Sequence, residues 1–65
     1  MNLHYLNYKS YTGSSDYSPK DMVWHGKILQ INDLITYEAD TREELQSAFE
    51  QAVDDYEETL KEINK

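Results

Sequence analysis

Apolar and polar residues repeat along this chain with two different periods, and the change of period falls near residue 40. From residue 41 onward, apolar side chains recur three or four positions apart, which is the spacing of one face of an α-helix. The segment TREE at 41–44 fits a capping box, in which the Glu44 amide donates to the Thr41 hydroxyl and the Thr41 amide donates to the Glu44 carboxylate. The pattern predicts one helix from about Arg42 to Ile63. Its apolar stripe consists of Leu45, Ala48, Phe49, Ala52, Val53, Tyr56, Leu60 and Ile63.

Upstream of residue 40 the pattern is typical of β-strands. YTGSSDYS at 11–18 alternates, with Tyr11, Gly13, Ser15 and Tyr17 on one face and the polar Thr12, Ser14 and Asp16 on the other. Within it, Gly13 indicates a bulge or a close approach by another backbone. MVWHGKILQI at 22–31 and LITYEA at 34–39 are rich in β-branched and aromatic residues. Turn signals at Pro19 and at Asn32-Asp33 separate the three segments. The sequence therefore predicts one α+β domain over residues 1–65, with the order β-β-β-α and a three-stranded antiparallel meander.

A single helix covers only one face of such a sheet. Both faces of 22–31 carry apolar side chains, with Val23, Leu29 and Ile31 on one and Trp24 and Ile28 on the other. Two explanations are open. The uncovered face is a contact surface, or a bulge at Gly26 moves residues from one face to the other.

The predicted helix is longer than the strands. It spans about 33 Å at 1.5 Å per residue, whereas a strand of seven residues covers only about 23 Å. Leu60 and Ile63 then need cover from the N-terminal Met1, Leu3 and Leu6 or from another chain, or else the last turns fray.

Length and composition limit the class of protein. The chain has 65 residues and no cysteine, which predicts a thin core without disulfides or thiolate metal sites. Pairing with another chain, including a homodimer, is one way for so small a domain to gain stability. The start MNLHYLNYKS lacks the apolar run of a signal peptide, and no stretch approaches the roughly 20 apolar residues of a membrane span. We therefore expect a cytoplasmic protein with no membrane contact.

The charge is unevenly distributed. Residues 1–37 carry three acids and three bases, whereas residues 38–65 carry ten acids and three bases, so the whole net charge of −7 lies in the second half. A field of this sign repels phosphate and disfavours direct nucleic-acid binding, whereas it attracts a basic partner. The alternative is that the charge serves solubility alone.

Patterns that carry catalysis or bind metals are not found in the sequence. The two histidines, His4 and His25, form no HxxxH or HExxH motif. The carboxylate pairs at 54–55 and 57–58 diverge by about 100° on a helix, so neither pair converges on one ligand. The glycines are isolated, and Ser14 and Ser15 have no nearby His–Asp constellation. We therefore expect no enzymatic activity and no cofactor or metal.

The motifs together resemble a known family. They are YTGS at 11–14, DYS at 16–18, HGKIL at 25–29, INDL at 31–34, YE at 37–38, EEL at 43–45, AF at 48–49 and AVDDY at 52–56. In this combination, over about residues 8–62, the chain closely resembles the N-terminal domain of HicB-type antitoxins. The resemblance implies a partial RNase-H-like fold and a type II toxin–antitoxin function. Such proteins capture HicA, a small basic ribonuclease that resembles a double-stranded-RNA-binding domain, and occlude its active site.

One departure from the family pattern matters. HicB-type antitoxins normally continue into a C-terminal ribbon-helix-helix or helix-turn-helix segment that binds operator DNA, whereas this sequence stops at Lys65. A truncated fragment and a natural stand-alone module both remain open. We therefore do not expect this chain to bind operator DNA.

The leading hypothesis is a non-enzymatic inhibitor that buries a basic ribonuclease site under its acidic helix face and open sheet. Charge and pattern select the candidate partner-binding residues, with five acids on the helix and two residues on the sheet: Glu43, Glu50, Asp54, Glu57, Glu58, Trp24 and His25. Two alternatives are kept. One is a phage-type inhibitor of another nucleic-acid enzyme, and the other is a dimerisation or interaction module built on the open face of the sheet.

Overall fold

The computed structural model describes residues 5–63 as five strands followed by one helix, which confirms the α+β class. The elements are β1 (Tyr5–Tyr8), β2 (Tyr11–Ser14), β3 (Asp16–Ser18), β4 (Val23–Lys27), β5 (Thr36–Ala39) and α1 (Arg42–Ile63). The helix has the predicted bounds, and the Glu44 amide donates to the Thr41 hydroxyl at 3.1 Å, as the capping box requires. No helix in the described part of the chain is long and apolar enough to cross a membrane.

The strands form two small antiparallel sheets, β1-β2 and β3-β4-β5. A bridge between Gly13 and Ile28 joins them, and beside it the Leu29 amide donates to the Thr12 carbonyl at 2.8 Å. This bridge has the same register as the pairing of Asp16 with His25 on β3 and β4. The predicted strand 11–18 is therefore interrupted at Ser15, but both of its halves face the same neighbouring segment.

One strand and two strand boundaries differ from the sequence prediction. β1 was not predicted, because a strand of only four residues with one fully buried side chain, Leu6, has little periodicity to detect. β4 ends at Lys27 instead of continuing to residue 31, and β5 begins at Thr36 instead of residue 34. Gln30 has a φ of 61°, in the left-handed region, and this turns the chain out of the strand direction.

Trp24, Gly26 and Ile28 all lie on the helix side of the sheet, so Trp24 and Ile28 share a face as predicted. Trp24 and Ile28 pack with the core, whereas His25 is exposed on the opposite face. The register is regular at Gly26, so the alternative of a bulge in β4 is wrong. The aromatic residue of this strand does not lie on the open face, and the use of that face as a contact surface stays a prediction. Leu29 and Ile31, the other apolar pair, lie beyond the strand and are half-buried.

The core lies between the sheet and one stripe of α1. Its fully buried hydrophobic members are Leu6, Ile28, Tyr37, Leu45, Phe49 and Val53. Leu6 belongs to this core, and Leu60 is half-buried, whereas cover of Leu60 by Leu6 stays a prediction. The sequence also predicted that the N-terminal Met1 and Leu3 would cover Ile63. That prediction lies outside the described residues, which include neither Met1 nor Leu3 nor the side chain of Ile63.

Candidate protein-binding surface

The turn between β1 and β2 places a lysine against the acidic helix. Lys9 has a φ of 55°, and its Nζ lies 3.0 Å from Asp54 Oδ1 and 2.9 Å from Glu57 Oε1. The Tyr8 hydroxyl donates to the same Asp54 carboxylate at 3.3 Å. Asp54 and Glu57 are three positions apart on the helix, so their side chains project from the same face and share one cation.

These contacts change the protonation chemistry of the hairpin turn. Hydrogen bonds to Glu57 and Asp54 raise the pKa of the Lys9 ammonium above its usual value, so Lys9 stays protonated further into the alkaline range than an unpaired lysine. Desolvation, with the nearby Asp54 charge, raises the pKa of the Tyr8 hydroxyl. Both ion pairs are partly solvent-exposed, with 47 % of the Lys9 side chain, 51 % of the Asp54 side chain and 33 % of the Glu57 side chain accessible. Exposed ion pairs of this kind contribute little to stability, so the ammonium is readily exchanged for another cation.

A groove of about 570 Å³ surrounds this lysine, and we call it the acidic groove. It is lined by Lys9, Asp54, Glu57, Glu58, Lys61 and Glu62. Four of these six residues are acids. Lys9 pairs with Asp54 and Glu57, whereas the carboxylates of Glu58 and Glu62 form no ion pair within residues 5–63. The groove therefore retains negative charge that a basic partner can neutralise.

The structure brings together three of the predicted acids and separates the other two from them. Asp54, Glu57 and Glu58 line the acidic groove. Glu50 accepts a hydrogen bond from Gln46 Nε2 at 2.9 Å, one turn before Asp54. Glu43 is in the first turn of the helix, on the order of 20 Å from Glu57 at 1.5 Å per residue, so it does not belong to this groove.

The two predicted sheet residues lie on opposite faces. Trp24 is half-buried on the helix side, and its ring centroid is 5.1 Å from that of Tyr17, so its role in this structure is packing. His25 is exposed on the open face, directly between Asp16 on β3 and Glu38 on β5. The open face of β4 is thus largely polar there. No cluster of three or more His, Asp or Glu side chains able to hold a metal is found within the described residues.

Sequence reasoning missed Tyr8 and Lys9. Their contacts with Asp54 and Glu57 span 45 to 48 positions of the chain, and no local pattern encodes such a pairing. One feature of the sequence could have indicated this turn. Leu6 and Tyr8 are two positions apart, as on one face of a short strand, and Lys9-Ser10 follows directly as a tight turn.

The fold defines this protein as a small α+β domain, in which antiparallel strands pack on one long C-terminal helix. No protein-family model matches the chain, and the searches of curated proteins and of solved structures likewise found no match.

Proposed function

We propose that this chain is a HicB-type antitoxin module that binds a small basic ribonuclease of the HicA type and blocks its access to RNA. The observation that carries the proposal is the acidic groove, where Asp54 and Glu57 already hold an ammonium group from Lys9. The resemblance of residues 8–62 to the HicB family and the net charge of −7 support it. In this proposal the protein acts in the cytoplasm and has no catalytic activity of its own.

Inhibition follows from competition between two anions for the same cationic groups. A ribonuclease binds RNA phosphates with lysine and arginine side chains, and carboxylates can occupy the same groups. Glu58 and Glu62 are available for this contact, whereas Asp54 and Glu57 become available when Lys9 is displaced. The interface we propose is therefore centred on the second half of α1, with Glu50 at its margin. Glu43 and Trp24 lie outside it, and His25 could contact the partner only if the interface also extended over the open face.

The test uses a small basic ribonuclease of the HicA type, looked for first in the gene next to the one for this chain. Isothermal titration calorimetry should detect a complex whose affinity falls steeply with salt, and the chain should inhibit cleavage of RNA by that protein. Glu58→Lys should weaken binding at least tenfold. Glu43→Lys makes the same change of charge outside the acidic groove, and it should have a much smaller effect.

Absence of binding at low salt, with both proteins shown to be folded by circular dichroism, would refute the proposal. Binding to a different basic nuclease would instead support the alternative of a phage-type inhibitor. The dimerisation module has less support, because the open face of the β3-β4-β5 sheet carries one apolar residue of β4, Val23, among charged and polar groups: Asp16, Ser18, His25, Lys27, Thr36 and Glu38.

A further inference from the structure

A second groove lies on the other flank of the same helical turns and differs in its chemistry. It has a volume of about 590 Å³, and we call it the apolar groove. It is lined by Asp33, Leu34, Ile35, Thr36, Ala52, Asp55, Tyr56 and Thr59. Its floor is formed by half-buried apolar residues of the core margin, including Ile35 and Ala52. The helix thus separates a polar surface from a groove that has an apolar floor.

Leu34 lines this groove, and its side chain is mostly exposed to solvent. Its side chain is 79 % exposed, although the adjacent Ile35 packs against the core. The backbone next to it is anchored, because the Ile28 amide donates to the Ile35 carbonyl at 3.0 Å. A single exposed leucine is common on protein surfaces. A leucine on an anchored backbone at the edge of an apolar groove is, in contrast, typical of a contact site.

The charges at the rim indicate what kind of segment fits. Asp33 and Asp55 both line the groove, one from the loop before β5 and one from α1, and no lysine or arginine lines it. Neither carboxylate forms an ion pair within residues 5–63, unlike Asp54 and Glu57, which share Lys9. A second copy of this chain would bring its own net charge of −7 to this acidic rim, and that repulsion disfavours self-association. The occupant is therefore apolar at its centre and basic on both sides.

We infer that the apolar groove binds an apolar side chain from a basic segment of the protein partner, with Asp33 and Asp55 pairing to lysine or arginine on either side. This inference rests on the proposed function and assigns the two grooves different roles. The acidic groove attracts the partner over a distance and accelerates association. The apolar groove holds the bound partner, because a desolvated apolar anchor slows dissociation.

The experiment measures association and dissociation rates of the same small basic ribonuclease with three forms of the full chain: wild type, Leu34→Asn and Met22→Asn. Met22 is a matched control, since it is 73 % exposed and lies in the turn between β3 and β4, away from both grooves. Its φ of 55° is one that asparagine adopts readily, and neither substitution changes the net charge. We expect Leu34→Asn to accelerate dissociation at least tenfold with little change in association. Met22→Asn should change either rate less than twofold.

Other outcomes would overturn the inference. If wild type binds and both variants dissociate alike, the apolar groove is not used, while the proposed function stands. If wild type does not bind, both proposals fall. Light scattering that shows a dimer of the free chain, dissociated by Leu34→Asn, would assign the groove to a second copy. Nuclear Overhauser contacts between residues 1–4 and Leu34 in the free monomer would assign it to the chain's own N-terminal segment.

Discussion

The ring of Tyr37 lies over the backbone of Gly26, its partner across the β4–β5 pair, and the Tyr37 hydroxyl donates to the Ser14 carbonyl at 2.8 Å. The same hydroxyl lies 3.3 Å from the Lys27 carbonyl and reaches the backbone of Gly13. One side chain therefore links β5 to β2 across β4, close to the break at Ser15. Glycine at both positions leaves the space that this ring requires, as is seen where an aromatic side chain covers a cross-strand glycine.

Gly26→Ala should destabilise the fold. A Cβ at this position would overlap the Ser14 carbonyl oxygen and crowd the Tyr37 ring. The carbonyl oxygen belongs to the backbone, so it cannot move away without moving the strand. We expect a loss of about 1–3 kcal/mol in the free energy of unfolding, measured by urea titration with circular dichroism. Thr36→Ala, at an exposed position of the adjacent strand, should stay within about 0.5 kcal/mol of wild type. Equal stability of the two variants would contradict this account of Gly26.

Tyr37→Phe should change the dependence of stability on pH. Burial raises the pKa of Tyr37 from 10.0 to about 12, so the folded state retains the hydroxyl proton more strongly than the unfolded state. This contribution to stability is complete below pH 10 and is lost as the pH rises from 10 towards 12. Near neutral pH the variant should lose about 1–2 kcal/mol with its hydrogen bond.

The measurement for Tyr37 is a set of urea titrations from neutral pH to about pH 11, compared between wild type and Tyr37→Phe. The difference in unfolding free energy should shrink over the alkaline range, because only wild type loses the contribution of this hydroxyl. The comparison cancels the titration of the other tyrosines, including Tyr8. A difference that is independent of pH would argue against a buried, hydrogen-bonded hydroxyl.

Two adjacent serines should respond oppositely to the same substitution. The Ser15 hydroxyl is buried and has no hydrogen-bond partner among the described residues, whereas the Ser14 hydroxyl accepts from the Lys27 amide at 3.0 Å. Removing an unsatisfied buried hydroxyl relieves a desolvation cost, so Ser15→Ala should stabilise by up to about 1 kcal/mol. Ser14→Ala should destabilise by a similar amount. Thermal and urea unfolding of both variants check this, and a clear loss of stability in Ser15→Ala would show that the hydroxyl is satisfied in solution.

Lys9→Met tests whether the hairpin lysine competes with the partner. Removing it frees Asp54 and Glu57, so we expect several-fold tighter binding of the basic partner at low salt and a steeper salt dependence. Lys20→Met removes the same charge from the exposed turn after β3, outside the acidic groove, and is the matched control. Calorimetric titrations at several salt concentrations distinguish the two. Identical affinities for both variants would mean that only net charge matters and that Lys9 does not compete.

The spacing of apolar residues along the chain was sufficient to predict several features of the fold. The three- and four-residue spacing of Leu45, Phe49 and Val53, together with the Thr41 cap, determined the helix and its buried face. The alternation in 11–18 indicated which residues face the core, and Ser15 is indeed buried on that side. Gly13 was expected to allow a bulge or a close approach by another backbone, whereas the structure places two side chains against it, the Phe49 ring and the Tyr37 hydroxyl. The helix and the alternation depend on residues near one another in sequence, where side-chain direction follows from backbone geometry, but the groups against Gly13 come from distant segments.

Which segments meet depends on the packing of the whole chain. The sequence shows that the second half is acidic, but it does not show that Lys9 neutralises part of that charge from 45 to 48 positions away. It likewise determined that 22–31 is apolar, but not that Trp24 faces the helix or that Leu34 stays exposed beside an acidic rim. Periodicity specifies which face of an element is apolar. Which neighbour covers that face, and which side chain remains uncovered, depends on the free energy of packing all the elements together.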